Sequence, residues 1–74
     1  MKRYMDLSGT SGVRAYTIAL QAITVQFADG GIYVYSYASA GRERIEEMKR
    51  CAQAGRGLST YISQHVGQAY ASKQ

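Results

Sequence analysis

The chain has 74 residues, 46% of them hydrophobic, with nine Lys and Arg against five Asp and Glu for a formal net charge of +4. A chain of this size makes one small domain and buries only about 60% of its unfolded surface; with one cysteine and one histidine it has neither an internal disulfide nor a Cys and His cluster for a structural metal. The start MKRYMDLSGTSG lacks the apolar run of a signal peptide and no window approaches the ~20 apolar residues of a membrane span, so the expected setting is cytoplasmic with no membrane partner.

Residues 1–12 mix charge, Ser, Thr and Gly without periodicity and read as a mobile N-terminal arm. Residues 13–20, VRAYTIAL, are rich in β-branched and aromatic side chains and read as a first strand. Its greasier face predicts Tyr16, Ile18 and Leu20 toward the core, with Arg14 at the rim, where its stem can lie on apolar surface. Gln21-Ala22 then links to a second strand at 23–28, and a third follows at 32–37. Short links between consecutive strands make an antiparallel meander.

The link between the second and third strands admits two registers. If Asp29-Gly30 is a two-residue type I′ turn, Phe27 opposes Ile32 and Val25 opposes Val34, and Tyr33, Tyr35 and Tyr37 face away from the core. Their rings would then stand about 6.7 Å apart, at a rise of ~3.3–3.4 Å per residue, as a stripe that suits stacking of unpaired bases or a second protomer. If the loop is Asp29-Gly30-Gly31 with a G1 bulge, Phe27 opposes Tyr33, Val25 opposes Tyr35, and the tyrosines join the core. The paired glycines and the scarcity of large aliphatic residues favour the second register.

Residues 42–54, RERIEEMKRCAQA, switch to helical spacing with Ile45, Met48 and Ala52 on one stripe. Gly55-Arg56-Gly57 stops that helix. A second helix is predicted over 58–69, with Leu58, Tyr61, Ile62, His65, Val66 and Ala69 on a continuous stripe, and residues 70–74 read as a frayed polar tail. The expected fold is therefore α+β: a three-stranded antiparallel meander with two C-terminal helices packed on one face, as a single domain over 13–69.

Phe27, then Gly30 or Gly31, then Tyr33-x-Tyr35, then a helix bearing Ala52 and Ala54, then Gly57-Leu58-Ser59 and Ile62 form an order of features that resembles the KTSC domain. That small module takes its name from the C-terminus of some lysyl-tRNA synthetases. The resemblance spans residues 11–66 and departs from the family at Ala38-Ser39, where a Val-Pro pair is usual, and at Leu58-Ser59, where Phe-Asn is common. It implies a compact α+β unit with no established catalytic activity, and RNA or an RNA-associated protein as partner.

The residues themselves offer few chemistries. No Walker loop, dinucleotide fingerprint or nucleophile elbow occurs. His65 lies within an apolar stripe and reads as a core-edge residue, and Cys51 reads as a half-buried apolar one. The expectation is a non-enzyme without cofactor or metal. Candidate nucleic-acid contacts are Arg14, Arg56, Tyr33 and Tyr35; Arg56 sits in a glycine turn beside the amides that open the next helix, where a phosphate would bind. The competing expectation is a homodimer formed through the uncovered sheet face or an edge strand, without nucleic acid.

Overall fold

The computed structural model describes residues 1–7, 9 and 11–74. Its α+β fold has an antiparallel sheet of five strands in chain order: β1 (Lys2–Arg3), β2 (Val13–Ala19), β3 (Ala22–Phe27), β4 (Ile32–Ser36) and β5 (Ser72–Lys73). Three helices complete it: α1 (Tyr37–Ala40), α2 (Arg42–Ala54) and α3 (Leu58–Tyr61), which runs on into a π-helical segment, Ile62–Val66. The expected meander is present as β2 to β4, but it is the middle of a larger sheet. The count of three strands and two helices is thereby corrected.

The hairpin between β3 and β4 closes through neither of the two loops expected. Its loop is Ala28-Asp29-Gly30: Gly30 N–H donates to Phe27 O (2.9 Å) and Phe27 N–H to Gly31 O (2.8 Å). Gly30 takes the positive φ of 94°, which a side chain would oppose, and the Asp29 carboxylate accepts the Gly31 N–H at 2.8 Å. Gly31 serves differently, since a Cβ there would stand 3.1 Å from the Tyr33 ring. Val25 consequently opposes Tyr33 and Ile23 opposes Tyr35. The shift from the bulged register is two residues, which preserves facing, so Tyr33 and Tyr35 lie on the face of Ile23 and Val25.

In β2 the register slips between Val13 and Ala15, a bulge that leaves Arg14 as the extra residue and turns both Val13 and Tyr16 inward. The link to β3 is Leu20-Gln21, one residue earlier than expected. Ile18 and Leu20 are therefore not core: they lie at the sheet's far end, 37% and 87% exposed.

The third strand ends one residue before Tyr37. Ser36 Oγ accepts the Ser39 N–H (3.1 Å) while Ser39 Oγ accepts the Ser36 N–H (3.0 Å), a reciprocal cap that starts α1 at Tyr37. The Tyr37 hydroxyl then donates to Glu46 Oε2 at 2.6 Å. In α2 the predicted stripe is the buried one, Ile45, Met48 and Ala52, and each large side chain contributes about 1.5–3 kcal/mol by leaving water. The helix stops at Gly55, whose φ of 77° is left-handed.

The second long helix is shorter than predicted and changes pitch. Gly67 N–H donates to Ile62 O at 2.7 Å, a π-turn. The wider turn keeps Leu58, Ile62 and Val66 buried but swings His65 out to solvent, where its ring lies 4.8 Å from that of Tyr61. These helical residues pack with Tyr16, Ile23, Val25 and Tyr35 in one cluster, so the helices cover a single face of the sheet. The opposite face carries Thr17, Thr24, Gln26, Ile32 and Val34, none of them fully buried.

Both chain ends are built into this frame. Tyr4, within the segment read as an arm, is 3% exposed and joins the core; Tyr4 N–H donates to Arg14 O (2.9 Å) and Leu7 N–H to Gly55 O (2.7 Å). Residues 8 and 10 of that segment lie outside the described residues. The tail read as frayed contributes β5, paired with β4 as Tyr33 with Lys73 and Val34 with Ser72.

Candidate functional site

A cleft of about 570 Å³ opens between β4, the hairpin loop and the end of the π-helical segment. Alternation along β4 puts Tyr33 and Tyr35 side by side on the helix-facing side, their ring centroids 6.5 Å apart. Phe27 meets Tyr33 edge to face at 5.4 Å and 84°, and Tyr70 meets Tyr33 at 5.0 Å and 70°. Tyr35 forms the floor and is 2% exposed. Burial pushes its phenol up to about 12, with Tyr33 and Tyr70 beside it adding to the effect.

Lys73 stands at the mouth, its Nζ 5.4 Å from the Tyr33 ring centroid. A hydrogen bond with Tyr33 holds this ammonium above its ordinary range, with the charges of Tyr33, Tyr70 and Asp29 acting in the same direction. Asp29 lines the cleft as well.

Arg14 lies elsewhere. The bulge in β2 leaves it exposed, and β1 lays Arg3 opposite the neighbouring Ala15, so that Arg3 and Arg14 line a second depression together with Asp6. The two depressions meet at Ala28, whose N–H donates to Gly12 O at 2.6 Å. Arg56 is exposed beyond the other end of residues 4–7, next to the Gly55 carbonyl that accepts the Leu7 N–H. The amide of Leu58 that follows is already engaged by the Tyr4 hydroxyl at 3.3 Å, so the turn does not present it to a phosphate. Of the four residues singled out from sequence, the structure brings together Tyr33 and Tyr35; Tyr35 offers no exposed face to a base.

Sequence reasoning missed Lys73 and Tyr70 because both fall in a segment without periodicity. Their spacing of three residues, an aromatic and then a cation in an otherwise small and polar tail, was the available signal. Cys51 is half-buried, and burial with Glu47 beside it pushes its thiol up, away from reactive thiolate character. Among the described residues no group of three or more His, Cys, Asp or Glu side chains is placed to hold a metal, and no helix is long and apolar enough to cross a membrane.

Compared with known family models, with curated proteins and with solved structures, the chain matches none.

Proposed function

We propose that the chain is a small, non-catalytic, cytoplasmic binding module that contacts single-stranded RNA through the edge where β1 joins β2. The observation that carries this reading is the β1 to β2 pairing, which lays Arg3 opposite Ala15 so that Arg3 and Arg14 line one depression. Two of the five acidic side chains, Glu46 and Glu47, pair with Lys49 and Arg50 along α2 at 3.0 and 2.8 Å, and Asp6 is, among the described residues, the one carboxylate lining the depression against its two arginines. Two arginines in one depression of a chain with net charge +4 form a footprint for phosphates. The KTSC resemblance implies the same partner class.

The test is fluorescence anisotropy with a labelled short RNA pool at two or more salt concentrations. With two phosphates neutralised, log K falls against log salt with a slope of about −1.4, and Arg3→Ala or Arg14→Ala removes about 0.7 from that slope. Arg56→Ala, beyond the docked segment, weakens binding less. Salt-independent binding, or full binding by the Arg3→Ala, Arg14→Ala double variant, overturns the proposal.

A second reading is favoured by the uncovered sheet face, where Ile32 and Val34 stand among Thr17, Thr24 and Gln26 with no charged neighbour on β3 or β4. On that reading two copies associate through this face. Sedimentation then shows a dimer that Ile32→Asp dissociates, and a strictly monomeric protein at high concentration removes it.

A further inference from the structure

Lys73 is exposed at the mouth of the cleft and faces the Tyr33 ring. Its register partner across the β4 to β5 pairing is Tyr33, and its Nζ lies 5.4 Å from that ring's centroid, inside the ~6 Å at which a ring face attracts a cation. Tyr33 and Tyr35 are tilted by only 23° to each other, but Tyr35 is buried and the other rings stand across them. Tyr70 meets Tyr33 at 70° and Tyr35 at 86°, and Phe27 meets Tyr33 at 84°. Rings inclined in this way box in a volume, which suits a compact cation, whereas a planar base needs an exposed parallel face. Asp29 supplies the negative charge on the same cleft.

The segment that delivers Lys73 is lightly held. β5 is two residues long, and residues 71–74 are all exposed. Beyond the strand pairing itself, Ala71 N–H donates to Val34 O (2.6 Å), Gln74 N–H to Ile32 O (2.7 Å) and Ile32 N–H to Gln74 O (3.5 Å). Any extended backbone can make those bonds with the edge of β4, because they involve no side chain of β5.

We propose that the cleft between β4 and the π-helical segment is a lysine-ammonium site, bordered at its mouth in this chain by its own Lys73 and open to a lysine of an extended partner polypeptide that pairs with β4 in place of β5. Backbone pairing supplies the docking, and the Tyr33 and Tyr70 rings with Asp29 select the alkylammonium over an apolar side chain of equal length. The site is distinct from the basic edge, and an RNA titration does not report on it.

The test uses the full chain carrying Ala71→Pro, Lys73→Ala and Gln74→Pro, three exposed positions; the prolines lack the N–H groups that tie the tail to Val34 O and Ile32 O, so the edge of β4 is free. The probe is the acetylated, amidated tetrapeptide Ala-Ser-Lys-Gln, the chain's own residues 71–74, and the readout is the NMR shift of the Tyr33 and Tyr70 ring protons. The variant binds this peptide about three- to thirtyfold more tightly than the analogue with norleucine in place of lysine, and adding Tyr70→Ala removes the difference. Equal affinity for the two peptides, or no binding at millimolar peptide, overturns the proposal. Equal affinity for the tetrapeptide and for Nα-acetyl-lysine methylamide overturns the role of strand pairing. In the unaltered protein the Lys73 Hε protons resonate upfield of free lysine through the Tyr33 ring current; ordinary lysine shifts overturn that ring contact without recourse to any variant.

Discussion

The hydroxyl of Tyr4 accepts a hydrogen bond at 3.3 Å from the backbone N–H of Leu58, a residue 54 positions away in the chain. Leu58 opens α3, whose preceding residue Gly57 has no side chain to cap it, so a phenol from the opposite end of the sequence satisfies one of the helix's orphan donors. The bond holds the N-terminal segment, the turn after α2 and the start of α3 in one arrangement. Tyr4→Phe therefore costs about 0.5–1.5 kcal/mol, and Tyr4→Ala, which also empties a core position, about 3–5 kcal/mol. Urea unfolding followed by circular dichroism measures both; equal losses for the two variants would show that the hydroxyl alone matters.

Gly55 is the other clamp on that segment. Its φ is 77°, and a Cβ there would stand 2.7 Å from Met5 Cβ. Gly55→Ala is expected to destabilise by about 2 kcal/mol or more, combining backbone strain with a clash. Because the obstructing atom is a Cβ, Met5→Ala gives no relief in the double variant. Recovery of stability in that double variant would place the conflict further out along the methionine.

The alkaline limit of stability is set partly by Tyr35. Its phenol is raised from 10.0 to about 12, burial being the largest cause. A group whose folded value is raised holds its proton more tightly when folded, so its contribution is fully present below pH 10 and fades as pH rises toward 12. Thermal unfolding should therefore move to lower temperature across that window. Tyr35→Phe has no such group to titrate and should show a flatter profile; an unchanged slope in the variant would assign the loss to the other phenols.

Lys49 ties the β2 to β3 turn to α2. Its ammonium donates to Leu20 O at 3.0 Å, pairs with Glu46 at 3.0 Å and lies 5.6 Å from the Tyr37 ring. Lys49→Met retains the stem but removes the donor. Amide exchange at Gln21 and Ala22 should accelerate about two- to tenfold, while exchange in the core of β3 stays as it was. Uniform acceleration throughout the sheet would mean that the lysine supports the whole fold.

The parts of this fold that could be read from sequence are those with a period. Ile45, Met48 and Ala52 are helically spaced and are the residues buried in α2. The alternation of 23–28 and 32–37 placed two strands, and the scarcity of aliphatics pointed the tyrosines inward, where Tyr35 is found. Facing survived an incorrect loop because facing depends only on parity. The start of α1 was hidden because Ser36 and Ser39 cap the helix while Tyr33, Tyr35 and Tyr37 continue the strand's alternation on paper. The candidate site was half legible: Tyr33 and Tyr35 were singled out, whereas Tyr70 and Lys73 sit in a tail with no pattern.

What the sequence by itself determined is which face of each long element is apolar, since side-chain period is a local property of helix and strand. What only the tertiary structure decided is how the two ends are used. β1 and β5 are two residues each, too short to carry a period, and they form because the outer edges of β2 and β4 present unpaired backbone groups within reach of the chain ends. That edge pairing sets Arg3 beside Arg14 at one side of the sheet and Lys73 over Tyr33 at the other.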